Sequence, residues 1–174
     1  MNFYALKTGI VLGAISVIVS FTLYLVNPEL LGIMWLPFLF TVIYFVILIY
    51  TAVKQRNRSC IFLSFGKAWV YSMIALTVMG AISTLYAIAL HHFDKGLSEL
   101  LINQNIENME TLFTKIGVPE DILDDTLTKT TEDLKHQYTT AGLTKEYFFN
   151  WFFYALISLI SGAFIKKKED LKIE

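Results

Sequence analysis

Four stretches of the chain, residues 8–26, 32–53, 68–90 and 147–165, contain no Asp, Glu, Lys, Arg or His. A helix rises about 1.5 Å per residue, so roughly 20 apolar residues cross a hydrocarbon layer of about 30 Å. Each stretch is therefore expected to be a transmembrane helix. Across 174 residues, 55% are hydrophobic and the mean hydropathy is +0.55, more apolar surface than a water-soluble core of this size can hide. The expected architecture is an all-α, polytopic membrane protein, residues 1–174 forming one four-span domain.

The first stretch follows Lys7 in a short leading segment, as a secretory signal would, but its exit "FTLYLVNPE" has no small-x-small cleavage pattern, so it is read as a retained span. Cations set the direction of the spans, because Lys and Arg bias a loop toward the cytoplasm. The loop between spans two and three holds Lys54, Arg56, Arg58 and Lys67, and "KKKEDLK" follows span four, whereas "NPELL" between spans one and two has no cation. Both termini are thus expected in the cytoplasm, with spans three and four joined outside. Trp35 and Trp151 at the outer level and Trp69 at the inner level agree with this, since indole rings favour the headgroup zone.

The outer connection, residues 94–146, carries eleven acids and five lysines, net −6. Within it the apolar residues narrow to a stripe: Ile102, Ile106, Met109, Phe113 and Ile116 recur at intervals of four and three, which marks one helix face. Gly117 and Pro119 suit the stop of one helix and the start of the next. A second arm with the thinner stripe Leu123, Leu127, Leu134 and Tyr138 then makes an antiparallel helical hairpin, with Gly96 and Gly142 as expected hinges. Should Gly96 not break the helix, span three would run on and stand about 39 Å above the surface.

Small residues let helices approach in lipid. Ala5, Gly9 and Gly13 in span one, Gly80 in span three, and Ser158 with Gly162 in span four are the candidate packing positions. They serve either the chain's own bundle or, through the "GIVLG" element at Gly9 and Gly13, association with a second copy. Span two has large side chains on all faces and is expected to meet lipid.

Chemistry is sparse. The adjacent His91 and His92, with Asp94 two places on, invite a metal reading, but zinc takes three or four ligands and these residues suit the headgroup boundary without one. Cys60 is the single cysteine and has no partner for a disulfide. No HExxH, GxSxG, phosphate-cradling glycine loop or CxxC is present. The four apolar stretches hold no ionisable group of the kind ion-coupled carriers place in the bilayer. Overall charge is near balance, so nothing points to nucleic acid. No catalytic residue, metal or cofactor is expected, and the chain is not expected to be an enzyme.

Four spans, a basic loop running into "LSFGKAW" at residues 63–69, and a long helical outer loop before a final span ending in lysines together resemble the uncharacterised four-span membrane proteins of Bacteroidota that are grouped as a domain of unknown function. The resemblance implies a bacterial inner membrane, with the hairpin in the periplasm, and brings no catalytic or binding residues. The expected function is that of a non-enzymatic interaction or accessory protein. It would act through the hairpin stripe on a membrane protein partner or a second copy of itself. The alternative is a subunit of an oligomeric transport assembly.

Overall fold

A computed structural model describes residues 2–33, 35–58 and 63–166; Cys60, Lys167 and Lys168 lie outside them. The chain forms α1 (Asn2–Val26), a short 3-10 helix (Pro28–Gly32), α2 (Leu36–Arg58), α3 (Phe65–Phe93), α4 (Lys95–Ile116), α5 (Glu120–Gln137) and α6 (Thr140–Ile165). Four of these, α1, α2, α3 and α6, are long and apolar enough to cross a membrane. The protein is all-α among the described residues, with α4 and α5 forming the expected hairpin between the third and fourth spans.

α3 is the central helix, packed along α1 on one side and α6 on the other, while α2 touches α1 and α6 more sparsely. The reason is the distribution of small residues. A methyl group on Gly9 would lie 2.6 Å from the Ala75 carbonyl oxygen, and one on Gly13 would lie 2.8 Å from Ile82. Gly80 is filled by the Tyr154 ring, and Gly162 abuts the backbone of Trp69. All the expected packing positions, Ala5, Gly9, Gly13, Gly80, Ser158 and Gly162, are buried within this single bundle. Of the two uses open to the small face of α1, packing in the chain's own bundle or association with a second copy, the first is the one seen, because α3 occupies that face. α2 has no glycine and only Ala52 as a small buried contact, and leaves Phe38, Val46 and Tyr50 more than half exposed on the exterior.

Hydroxyl contacts reinforce both seams. Thr8 and Tyr71 hydroxyls meet at 2.6 Å, and Ser83 donates to Ser16 at 3.0 Å, joining α1 to α3. Ser161 donates to Ser72 at 2.7 Å, and the Trp69 indole to the Ala155 carbonyl at 3.3 Å, joining α3 to α6. Such bonds contribute about 0.6–2 kcal/mol each in an apolar surrounding. At one end of the bundle Arg56 donates to the carbonyls of Ile165 at 2.7 Å and Lys166 at 3.2 Å. A cation there satisfies carbonyls that α6 leaves open and opposes the negative end of its dipole. This basic end, with Lys7, Lys54 and Lys67, lies opposite the end that carries the hairpin.

Helix boundaries depart from expectation at both hinges. The break after α3 falls at Asp94 and not at Gly96, because the Asp94 carboxylate accepts the N–H groups of Gly96 and Leu97 and so starts α4. The second break falls at Tyr138–Thr139 and not at Gly142, because the Thr139 hydroxyl accepts the Gly142 N–H and starts α6. Gly142 is needed for a different reason: a β-carbon there would run into the carbonyls of His136 and Gln137. At the hairpin tip Gly117 does end α4, at φ +73°, with its N–H bonded to the Thr114 carbonyl and that of Val118 to the Phe113 carbonyl. Pro119 stands one residue ahead of α5.

Candidate interaction surface and cavity at the hairpin end

The base of the hairpin is built around Asp94. Besides capping α4, it accepts a 2.8 Å hydrogen bond from the Tyr24 hydroxyl near the end of α1. One turn back, His91 shares a 2.8 Å hydrogen bond with the Ser98 hydroxyl and lies 5.1 Å from the Tyr138 ring. His91 and Asp94 thus hold one corner at the base of the hairpin. His92 points outward beside Phe93, and no cluster of three metal-ligating side chains occurs among the described residues.

From this corner α4 passes over the 3-10 helix. Leu97 and Leu101 are buried, and the Gln104 side chain lies against Gly32, its carbonyl oxygen buried without a partner. These three residues, at spacings of four and three, form a second packing face beside the expected stripe. The stripe divides along its length. Ile102 is buried, Ile106, Met109 and Phe113 are half-buried with α5 alongside, and Ile116 is 67% exposed. On α5, Leu123 is buried and Leu127, Leu134 and Tyr138 are half-buried. The stripe is therefore largely spent on the hairpin itself.

What remains open is the tip. Leu112, Ile116 and Ile122 are 53%, 67% and 58% exposed around the Gly117 turn. Glu110, Asp124 and Asp125 are exposed on the same stretch of the hairpin, and Lys129 offsets only Asp125, at 2.6 Å. Ile116 lies 12 residues beyond Gln104, about 18 Å along the helix.

A second feature lies between the helices. α2 closes on the bundle through Leu48, Ala52 and Arg56 toward the basic end, but toward the hairpin end it stands away from α1 and α6. The gap is a cavity of about 550 Å³. Phe40, Leu76, Met79 and Ile157 supply its apolar walls, and Ser16, Ser20, Thr41 and Tyr44 its hydroxyls. Asn150 and Glu146 also line it, and Glu146 accepts a 3.1 Å hydrogen bond from Gln137 of α5. The sequence places no ionisable group within residues 147–165, but α6 begins seven residues earlier, so its first turns bring Glu146 to the cavity wall.

Residues 7–167 match the model of a family described as Protein of unknown function (DUF4199). Neither the curated proteins nor the solved structures contain a match to the chain.

Proposed function

The chain belongs to the DUF4199 family of proteins of unknown function, and from that premise we propose that it is a non-enzymatic interaction protein of a bacterial inner membrane. In this reading the basic end faces the cytoplasm, by the bias of cationic loops. The hairpin end is then periplasmic, as the resemblance to Bacteroidota proteins implies. The observation that carries the proposal is the exposed tip of Leu112, Ile116 and Ile122 beside the exposed acids Glu110, Asp124 and Asp125, of which only Asp125 is paired among the described residues. Water does not favour three large apolar side chains exposed on either side of one turn, and the acids disfavour contact with anionic lipid. A partner protein with an apolar patch rimmed by Lys or Arg suits both.

The test is pull-down of tagged protein from native membranes after lysine cross-linking, with peptide identification. Ile116→Asp together with Ile122→Asp should remove the partner while leaving thermal stability within about 0.5 kcal/mol, since both side chains are exposed. Substituting Ile106 and Phe113 would not discriminate, because they are half-buried beside α5 and their loss opens the hairpin. Capture that survives the tip substitutions would dismiss the tip as the docking surface.

The cavity favours a second reading, a subunit of a transport assembly in which several copies or a partner complete the pathway. Its volume falls in the range of ligand sites, about 300–1,000 Å³, and it combines apolar walls with Asn150 and Glu146. Under this reading, vesicles reconstituted with the protein pass a small polar solute, and Thr41→Trp stops the flux by filling the gap. Vesicles that stay sealed at every protein-to-lipid ratio would remove this reading for the isolated protein.

A further inference from the structure

We infer that the basic end of the protein holds an anionic phospholipid in the groove between α1 and α2, its phosphate at Lys7 and Lys54. The inference is independent of the hairpin and of which side of the membrane this end faces.

The groove encloses about 350 Å³ and is walled by the first half of α1 and the last half of α2. Because the two helices run in opposite directions, their sequences place the same chemistry at the same depth. On α1, Lys7 is followed inward by Val11 and Leu12; on α2, Lys54 is preceded inward by Ile47. That is five residues on one helix and seven on the other, about 7.5 and 10.5 Å of axial rise. A cationic rim above an apolar trough matches an amphiphile whose head is an anion and whose tail enters the bilayer. A soluble anion would leave the trough unused.

Charge supports the sign. No Asp or Glu lies between residues 30 and 93 in the sequence, so no carboxylate of the four-helix body stands at this end among the described residues. The two ammonium groups rest instead on aromatic rings of their own helices. Lys7 Nζ is 4.5 Å from the Phe3 ring centre, and Lys54 Nζ is 5.6 Å from that of Tyr50. Such resting contacts are weaker than a phosphate pair and yield to one. The Tyr4, Thr8, Thr51 and Tyr71 hydroxyls also line the groove, and those of Thr8 and Tyr71 bond each other across α1 and α3. Basic recesses between transmembrane helices are suited to anionic headgroups for these reasons. The structural consequence falls on α2, the least tightly packed span. A phosphate bridging Lys7 and Lys54 ties it to α1 where direct contact is sparse.

Thermal unfolding of the purified full chain in neutral detergent tests this, with added phosphatidylglycerol, phosphatidylcholine or inorganic phosphate. Phosphatidylglycerol should raise Tm by about 5 °C or more over phosphatidylcholine. Native mass spectrometry should retain one such lipid per chain. Lys7→Gln with Lys54→Gln should abolish both effects, and Lys67→Gln, a cation at the same end outside the groove, should leave them. Equal shifts from both phospholipids, or equal loss from Lys67→Gln, would overturn the site. A full shift from inorganic phosphate would overturn the lipid as its occupant. If the Gln pair does not fold, Lys7→Glu alone in place of it must lose the retained lipid, and the comparison of lipids on the unaltered chain still decides.

Discussion

Gly9→Leu is expected to destabilise the protein by about 3 kcal/mol or more, the upper part of the range for overpacking a tight interior. The cause is local and specific. A β-carbon alone at this position would lie 2.6 Å from a backbone carbonyl oxygen, Ala75, and 2.7 Å from the Val78 β-carbon. Neither is the free end of a side chain, so α1 and α3 must separate, and the Thr8–Tyr71 and Ser16–Ser83 hydrogen bonds stretch with them. A side chain at Gly66, by contrast, meets nothing within 4 Å, and Gly66→Ala should change stability by no more than about 1 kcal/mol. Thermal unfolding in detergent, read by circular dichroism, compares the two. The same experiment addresses self-association. If Gly9 packed against a second copy, Gly9→Leu would dissociate oligomers and leave the folded monomer intact; the packing described here requires the monomer itself to loosen. A variant as stable as the parent would show that α1 and α3 do not meet through this seam.

The four spans were readable in the sequence because lipid imposes a length and a polarity that few other environments demand, and the tip of the hairpin because Gly117 and Pro119 are strong local signals. Hinges were harder. Glycine drew attention at 96 and 142, yet chain direction changes where Asp94 and Thr139 offer side-chain oxygens to a new helix. Capping residues set boundaries more firmly than conformational freedom does. The stripe from Ile102 to Ile116 correctly marked an apolar face, but its period says nothing about how many neighbours share it. Leu97, Leu101 and Gln104 form a second face because α4 rests on the 3-10 helix as well as beside α5. The pairing of Gln104 with Gly32 joins two connections far apart in the chain and has no local sign. Nor has the cavity, which arises from α2 closing at one end and standing off at the other. That follows from small residues being concentrated in α1, α3 and α6, a pattern the sequence displays without saying at which end α2 would close. Glu146 escaped notice because an apolar window trims a helix to its uncharged part.

Asp94→Ala should release the hairpin base, raising hydrogen exchange across the first turns of α4 about 30-fold, the equivalent of roughly 2 kcal/mol of local stability. Two losses combine. The cap on Gly96 and Leu97 contributes about 1 kcal/mol, and a hydrogen bond from Tyr24 to a charged acceptor a further 1–2 kcal/mol. Alanine also has the strongest helix propensity, so removal of the cap favours fusion of α3 and α4 into one continuous helix. The hairpin would then stand upright and leave the 3-10 helix uncovered. Tyr24→Phe removes only the tether and should raise exchange less, without fusing the helices. Spin labels on the exposed residues Glu29 and Glu107 separate the outcomes: the distance should lengthen in Asp94→Ala and stay close to the parent's in Tyr24→Phe. An unchanged distance with unchanged exchange in Asp94→Ala would mean that the contact of Leu101 and Gln104 with the 3-10 helix holds the hairpin down alone. The corner at Asp94 would then follow from that docking and not cause it.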